Sequence, residues 1–213
     1  RAADLPPHAV ERLAGADALA GLGLTRRTAL WHALALAEDD APLFAGLLDK
    51  SDVLTRPDTA AFLPPMPVGQ EVMADYATAG LSLKRHPVSL LRAALAARGV
   101  LPAAKLAAVS QGRWVRVAGL VLVRQRPGTA GGIVFQTLED ETGVANLIVY
   151  PDVYDRFRAA ARHATLLQAD GRVEKQGQVI HVLAYRLHDL TELLADEAGP
   201  GGGTGRFASR DFH

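Results

Sequence analysis

Between residues 114 and 187 the hydrophobic positions recur every second residue, the period of a strand buried on one face. Val115, Val117, Val121 and Val123 lead the series and are expected to face inward, with Gly119 at the midpoint to let the strand bend. Residues 133–139 predict a second strand. If Val134 and Leu138 point inward on it, Phe135 points outward. Glu139-Asp140-Glu141-Thr142-Gly143 reads as a hairpin turn, and residues 144–150 as the third strand. Pro151 and Asp152 suit the first turn of a helix reaching residue 161. Residues 166–174 and 178–187 complete the set around a turn at Gln176-Gly177.

Upstream the period changes to that of a helix. Residues 8–36 are rich in Ala, Leu and Arg; Gly21 and Gly23 interrupt them, and a second helix starts near Thr25. Residues 43–70, with Pro57, Pro64, Pro65 and Pro67, predict an extended connector with one short helix at 43–48. Helix returns at 70–79, stops at Gly80, restarts after Pro87 and closes at Gly99, with one more turn at 105–109. The glycine-rich run from Gly199 to Gly205 predicts a flexible tail.

The order β-β-β-α-β-β is the layout of an OB-fold, a small barrel that grips single-stranded nucleic acid or oligosaccharide. The expected fold class is α+β and multidomain. Residues 1–40 form a helix-hairpin-helix-like region and 41–110 a linker with helices. Residues 111–190 form the five-stranded OB-fold barrel, and 191–213 a flexible tail.

Composition narrows the chemistry. Twenty-three basic and 23 acidic residues cancel, so any polynucleotide contact must use local arginine clusters. The absence of cysteine excludes disulfides and thiolate zinc sites and fits a reducing cytoplasm. No apolar run reaches the roughly 18 residues of a membrane span. The chain opens at Arg1 inside helical sequence and carries no signal peptide, so it reads as a fragment of a longer protein.

Three features carry candidate nucleic-acid chemistry. Arg124-Gln125-Arg126-Pro127-Gly128 joins the first two strands, where arginines beside glycines admit a phosphate closely; Arg116 extends the basic strip. An outward Phe135 could stack on a base, with Asn146 on the third strand offering a hydrogen bond. Gly23-Leu24-Thr25-Arg26-Arg27-Thr28-Ala29 follows the helix-hairpin-helix pattern at Gly23, Leu24, Arg27 and Ala29, with Thr25 in place of the second glycine. Such hairpins aim backbone N–H groups and a basic side chain at duplex phosphate.

Other features point away from chemistry. The adjacent acids 139–141 read as a solvated hairpin tip rather than a metal site, and the seven histidines lack ligand spacing. His181 and His188, seven apart on a strand, are expected on opposite faces. Residues 70–76 faintly resemble a sliding-clamp peptide, but their amphipathic setting favours a packed helix.

Several segments together resemble the C-terminal end of bacterial error-prone DNA polymerases, family C relatives of the DNA polymerase III alpha subunit. They are the stretch 22–31, with Leu22-Gly23-Leu24-Thr25-Arg26-Arg27-Thr28-Ala29-Leu30-Trp31, the stretch 75–87, which ends in Gly80-Leu81-Ser82-Leu83-Lys84-Arg85-His86-Pro87, the stretch 117–130, the stretches 138–143 and 146–153, and Ser209-Arg210-Asp211-Phe212-His213. The resemblance covers nearly the whole chain. It implies a parent DNA-directed DNA polymerase, a nucleotidyltransferase acting in damage-induced mutagenesis and translesion synthesis. Its catalytic aspartates and Mg2+ are expected upstream, and no catalytic residue or cofactor is expected in this piece. The barrel is expected to hold single-stranded template through Arg116, Arg124, Arg126, Phe135 and Asn146. The hairpin at Gly23 and Arg27 is expected to contact duplex. Two alternatives stay open: a protein-interaction module recruiting the sliding clamp or accessory mutagenesis proteins, and a tRNA-binding OB module. No membrane partner is expected.

Overall fold

A computed structural model describes residues 5–38, 63–199 and 210–212. The expected helix at 43–48 and the glycine run 200–205 lie outside the described residues. The barrel is built from β1 (Trp114–Gln125), β2 (Val134–Asp140), β3 (Gly143–Val149), β4 (Leu166–Gln176) and β5 (Val179–Asp189). Sheet order is β2-β3-β5-β4-β1, and β1 also pairs with β2, closing the ring. Neighbours are antiparallel except β3 and β5. A short β6 (Arg210–Phe212) runs parallel to the end of β1, within the stretch expected to be tail.

Closure depends on β1 serving two partners. Its first half pairs with β4, from Trp114 opposite Arg172 to Leu120 opposite Leu166; its second half turns onto β2, ending with Gln125 opposite Phe135. Gly119 sits at the crossing, where a Cβ would lie 2.4 Å from the Glu139 carbonyl oxygen. No larger residue fits without moving backbone. The register slips between Val121 and Val123. Val115, Val117 and Val121 therefore enter the core as expected, while Val123 is only half-buried and stays out of it.

Inside the barrel Val117, Leu138, Leu147, Leu167, Val173 and Val182 are almost completely buried. Each such side chain contributes roughly 1.5–3 kcal/mol. A 3-10 turn (Ala103–Ala108) adds Ala103 and Leu106 to this core beside the β2–β3 turn. Helices α6 (Pro151–Arg156) and α7 (Arg158–His163), between β3 and β4, add Val153 and Ala161.

The N-terminal half comprises α1 (Pro7–Gly15), α2 (Arg26–Glu38), α3 (Val68–Ala79), α4 (Pro87–Leu90) and α5 (Arg92–Ala97). A last helix, α8 (Thr191–Ala198), follows β5 where tail was expected. It starts at a polar junction: Asp189 accepts from the Thr191 N–H at 2.9 Å, and Thr191 Oγ1 accepts from the Thr165 N–H at 2.9 Å. Met73, Val88, Leu91, Leu95 and Leu194 pack onto Ala118, Leu120 and Leu166, covering the outer wall formed by β1 and β4. The helices and barrel thus share a second core.

Candidate nucleic-acid interface

The outer wall of β2 and β3 remains beyond that helical cover. β2 alternates strictly, with Val134, Gln136, Leu138 and Asp140 buried and Phe135, Thr137 and Glu139 half-buried on the other face. Phe135 faces outward as expected. Opposite it lies Ile148, and opposite Thr137 lies Asn146, whose Oδ1 accepts from the Thr137 hydroxyl at 3.1 Å. Phe135, Ile148, Thr137 and Asn146 thus form an apolar and polar patch on two adjacent strands. The helices border it at Glu139, which lies 3.7 Å from His86 Nε2. Burial, then the charge of Glu139, raises the Tyr76 phenol above its ordinary value.

The loop between β1 and β2 divides its two arginines. Arg124 is half-buried; its Nε donates to the Ala161 carbonyl at 3.0 Å, and its Nη2 donates to the Ala164 carbonyl. These are carbonyls at the end of α7, where a cation complements the helix dipole. Buried Gln136 donates to the same Ala161 oxygen at 2.6 Å. Arg124 therefore braces the helix, an alternative partner that strand alternation does not reveal. Arg126 is exposed and lies over the Tyr154 ring, 5.5 Å from its centroid, a cation–π contact. Gly131 and Gly132 take φ of 58° and 83°, turning the loop back toward Pro151. Tyr150, the neighbour of Pro151 in the chain, is exposed. Arg116 lies on the outer face of β1, away from the loop. It donates to the Arg98 carbonyl at 2.7 Å and approaches Asp170 at 3.5 Å.

The hairpin tip is not solvated as expected. Asp140 is buried, because it accepts from the Ala103 N–H at 2.8 Å and from the Thr142 N–H at 2.7 Å. Arg92 adds donors to Asp140 at 3.0 Å and to Glu141 at 2.5 and 2.8 Å. The histidine expectation also fails. The register of β4 and β5 slips between Asp170 and Gly171, leaving one extra residue on β5. Val182, Ala184 and Leu187 are core residues, so His181 and His188 both lie on the outer face.

In the helical hairpin, Gly23 is exposed at a left-handed turn with φ of 78°. Arg27 donates to the Pro64 carbonyl at 2.6 Å and to Gln70 Oε1 at 3.1 Å. Arg26, almost fully buried, donates to the Glu71 carbonyl at 2.9 Å and pairs with Asp75, with Asp17 at 3.8 Å. Both arginines fasten α2 to the start of α3.

Residues 115–190 match the family described as OB-fold nucleic acid binding domain. Over 189 residues the chain is 49% identical to the error-prone DNA polymerase 1 of Rhizobium meliloti, covering 87% of this chain and 17% of that protein. Over 220 residues it is 47% identical to the error-prone DNA polymerase of Caulobacter vibrioides, covering 98% and 20%. This chain is a homologue of one part of the error-prone DNA polymerases. It spans about a fifth of the length of these curated relatives. Among solved structures, asparaginyl-tRNA synthetase from Pyrococcus horikoshii is 23% identical over 38% of this chain and 20% of its own, with a TM-score of 0.33. That likeness is too slight to carry an argument.

The segment Gly80-Leu81-Ser82-Leu83-Lys84-Arg85-His86-Pro87, which carries part of the resemblance to the error-prone polymerases, has a structural explanation. Ser82 donates to Asp75 at 2.6 Å, and Lys84 bridges Glu71 and Asp17, the latter at 3.0 Å. His86 Nδ1 accepts from the Val88 N–H at 3.2 Å, and buried Pro87 opens α4. The motif joins the helical hairpin to the helices packed on the barrel.

Proposed function

We propose that this chain is the nucleic-acid-binding region of an error-prone DNA-directed DNA polymerase acting in translesion synthesis. The outer face of β2 and β3 positions single-stranded template, and nucleotide joining with Mg2+ belongs to other parts of the parent. The observation that carries this reading is the patch of Phe135, Ile148, Thr137 and Asn146 on two neighbouring strands. An aromatic ring there stacks on a base, and Asn146 hydrogen-bonds to a base edge. Arg126, exposed on the glycine-rich loop, supplies the phosphate contact. Exposed Gly23 is the hairpin's point of contact with duplex, and Arg27 braces that hairpin from behind.

The test is fluorescence anisotropy with a labelled oligo(dT) and the 213-residue chain, between about 50 and 200 mM salt. Binding should weaken with salt. Phe135→Ala should weaken it further, by about 1–3 kcal/mol for one lost stacked base. Absence of salt-dependent binding, or full affinity in Phe135→Ala, overturns the assignment of this face.

A further inference from the structure

We propose that a second stretch of the barrel, the outer face shared by the start of β1 with β4 and β5, is an additional single-stranded nucleic-acid track with Trp114 and Tyr185 as its stacking platform. Trp114 is 50% exposed and Tyr185 40%, and their ring centroids lie 5.4 Å apart at 33°. Neither ring belongs to either barrel-associated core. The chain reaches this arrangement through the slip that misled the histidine expectation. Gly171 is the hinge of that slip: a Cβ there would lie 2.2 Å from the Leu183 carbonyl oxygen. The extra residue on β5 places both Tyr185 and Arg186 outside, where regular alternation would turn one of them inward.

The charges around the pair favour a polyanion. Exposed Arg172 stands directly opposite Trp114, and Arg116 lies two residues along β1 on the same face. Exposed Arg186 stands opposite Asp170, which itself stands opposite Arg116. Among the described residues two acids share this face. Asp170 is buried, with Arg116 at 3.5 Å and a hydrogen bond from Gln168 at 2.9 Å; Glu174 is half-buried further along β4. Among the described residues Arg113, Arg172 and Arg186 have no ion pair. Beside Trp114 an open depression of about 520 Å³ runs between β1 and the 3-10 turn, bounded by Leu101, Val109, Arg113 and Arg116. Exposed π faces with unpaired guanidinium groups on either side are the recognition chemistry of single strands, sequence-tolerant and salt-dependent. The pair sits on β1 and β5 beside β4, whereas Phe135 sits on β2, so the two faces are read by different side chains. The inference rests on the reading of the barrel as a nucleic-acid binder, but not on the β2–β3 patch.

The chain has two tryptophans, so Trp31→Phe leaves Trp114 as the only indole. Titration of that variant with unlabelled oligo(dT), beside labelled-oligo anisotropy, reads the new face directly. The expected result is saturable quenching of Trp114 that diminishes with salt. Trp114→Ala combined with Arg172→Ala should weaken binding on the order of tenfold, with an unchanged circular dichroism spectrum. If anisotropy rises while Trp114 emission stays constant, this track is wrong and the β2–β3 reading stands. If quenching occurs and Phe135→Ala binds normally, this track stands and the β2–β3 patch falls. No binding by either measurement overturns both.

Discussion

Arg92 on α5 and Asp140 at the end of β2 meet at 3.0 Å across 48 positions of sequence. Their contact joins the helical half to the barrel at a buried carboxylate. Asp140 also takes N–H donors from Ala103 and Thr142, so its oxygens are fully used.

Asp140→Ala is expected to cost about 1–3 kcal/mol, because it leaves the Ala103 N–H without its acceptor while Arg92 keeps Glu141. The pH dependence has a definite sign. Burial alone would raise this carboxyl, but the bonds from Thr142 and Ala103 and the charge of Arg92 outweigh it and hold it below 3.8. Its stabilising effect is therefore complete above about pH 4 and is lost as pH falls through the depressed value. Thermal midpoints from pH 7 to pH 3 should fall in the parent, and should start lower and fall less in Asp140→Asn.

The two loop arginines are expected to separate by measurement. Arg124→Ala removes donors to the Ala161 and Ala164 carbonyls and should lower stability by about 1–3 kcal/mol. Arg126→Ala should leave the thermal midpoint unchanged and reduce the slope of log affinity against log salt by about 1. The reverse pattern would show that Arg124 is the phosphate contact.

Gly119→Ala and Gly171→Ala should each destabilise by at least about 1–3 kcal/mol, because the new Cβ meets backbone oxygen at 2.4 and 2.2 Å. Gly128→Ala, where no atom lies within 4 Å, is the control and should be silent in urea unfolding.

Arg26→Met should loosen the helical hairpin by about 3–5 kcal/mol, leaving Asp17, Glu71 and Asp75 with Lys84 as their remaining cation. Amide exchange should accelerate in α1 and α2 before the barrel strands. Burial by itself would lower the Lys84 ammonium, but bonds to Glu71 and Asp17 and the charge of Asp75 hold it above 10.5. That contribution is complete at neutral pH and disappears only as pH rises through the raised value.

The barrel was legible because each strand buries one face and its turns use glycine or proline where backbone geometry requires them. Gly119 was readable as a bend, and the outward turn of Phe135 followed from Val134 and Leu138. What alternation could not reveal was register. One slip took Val123 out of the core, and another put His181 and His188 on the same side. Side-chain partners were equally hidden. Arg124 and Arg27 read as phosphate ligands by position, and only the folded chain brings carbonyl oxygens from 37 to 40 residues away to meet them. Trp114 and Tyr185 are 71 positions apart and become neighbours only through β4.

The cover over Ala118, Leu120 and Leu166 also governs how this molecule can be cut. A gene fragment starting at residue 111 would keep every strand and α8 yet lay bare the part of a greasy flank that α3, α4 and α5 normally sheathe. Such a product should clump in the test tube, whereas one starting before α3 and ending after α8 should stay dispersed.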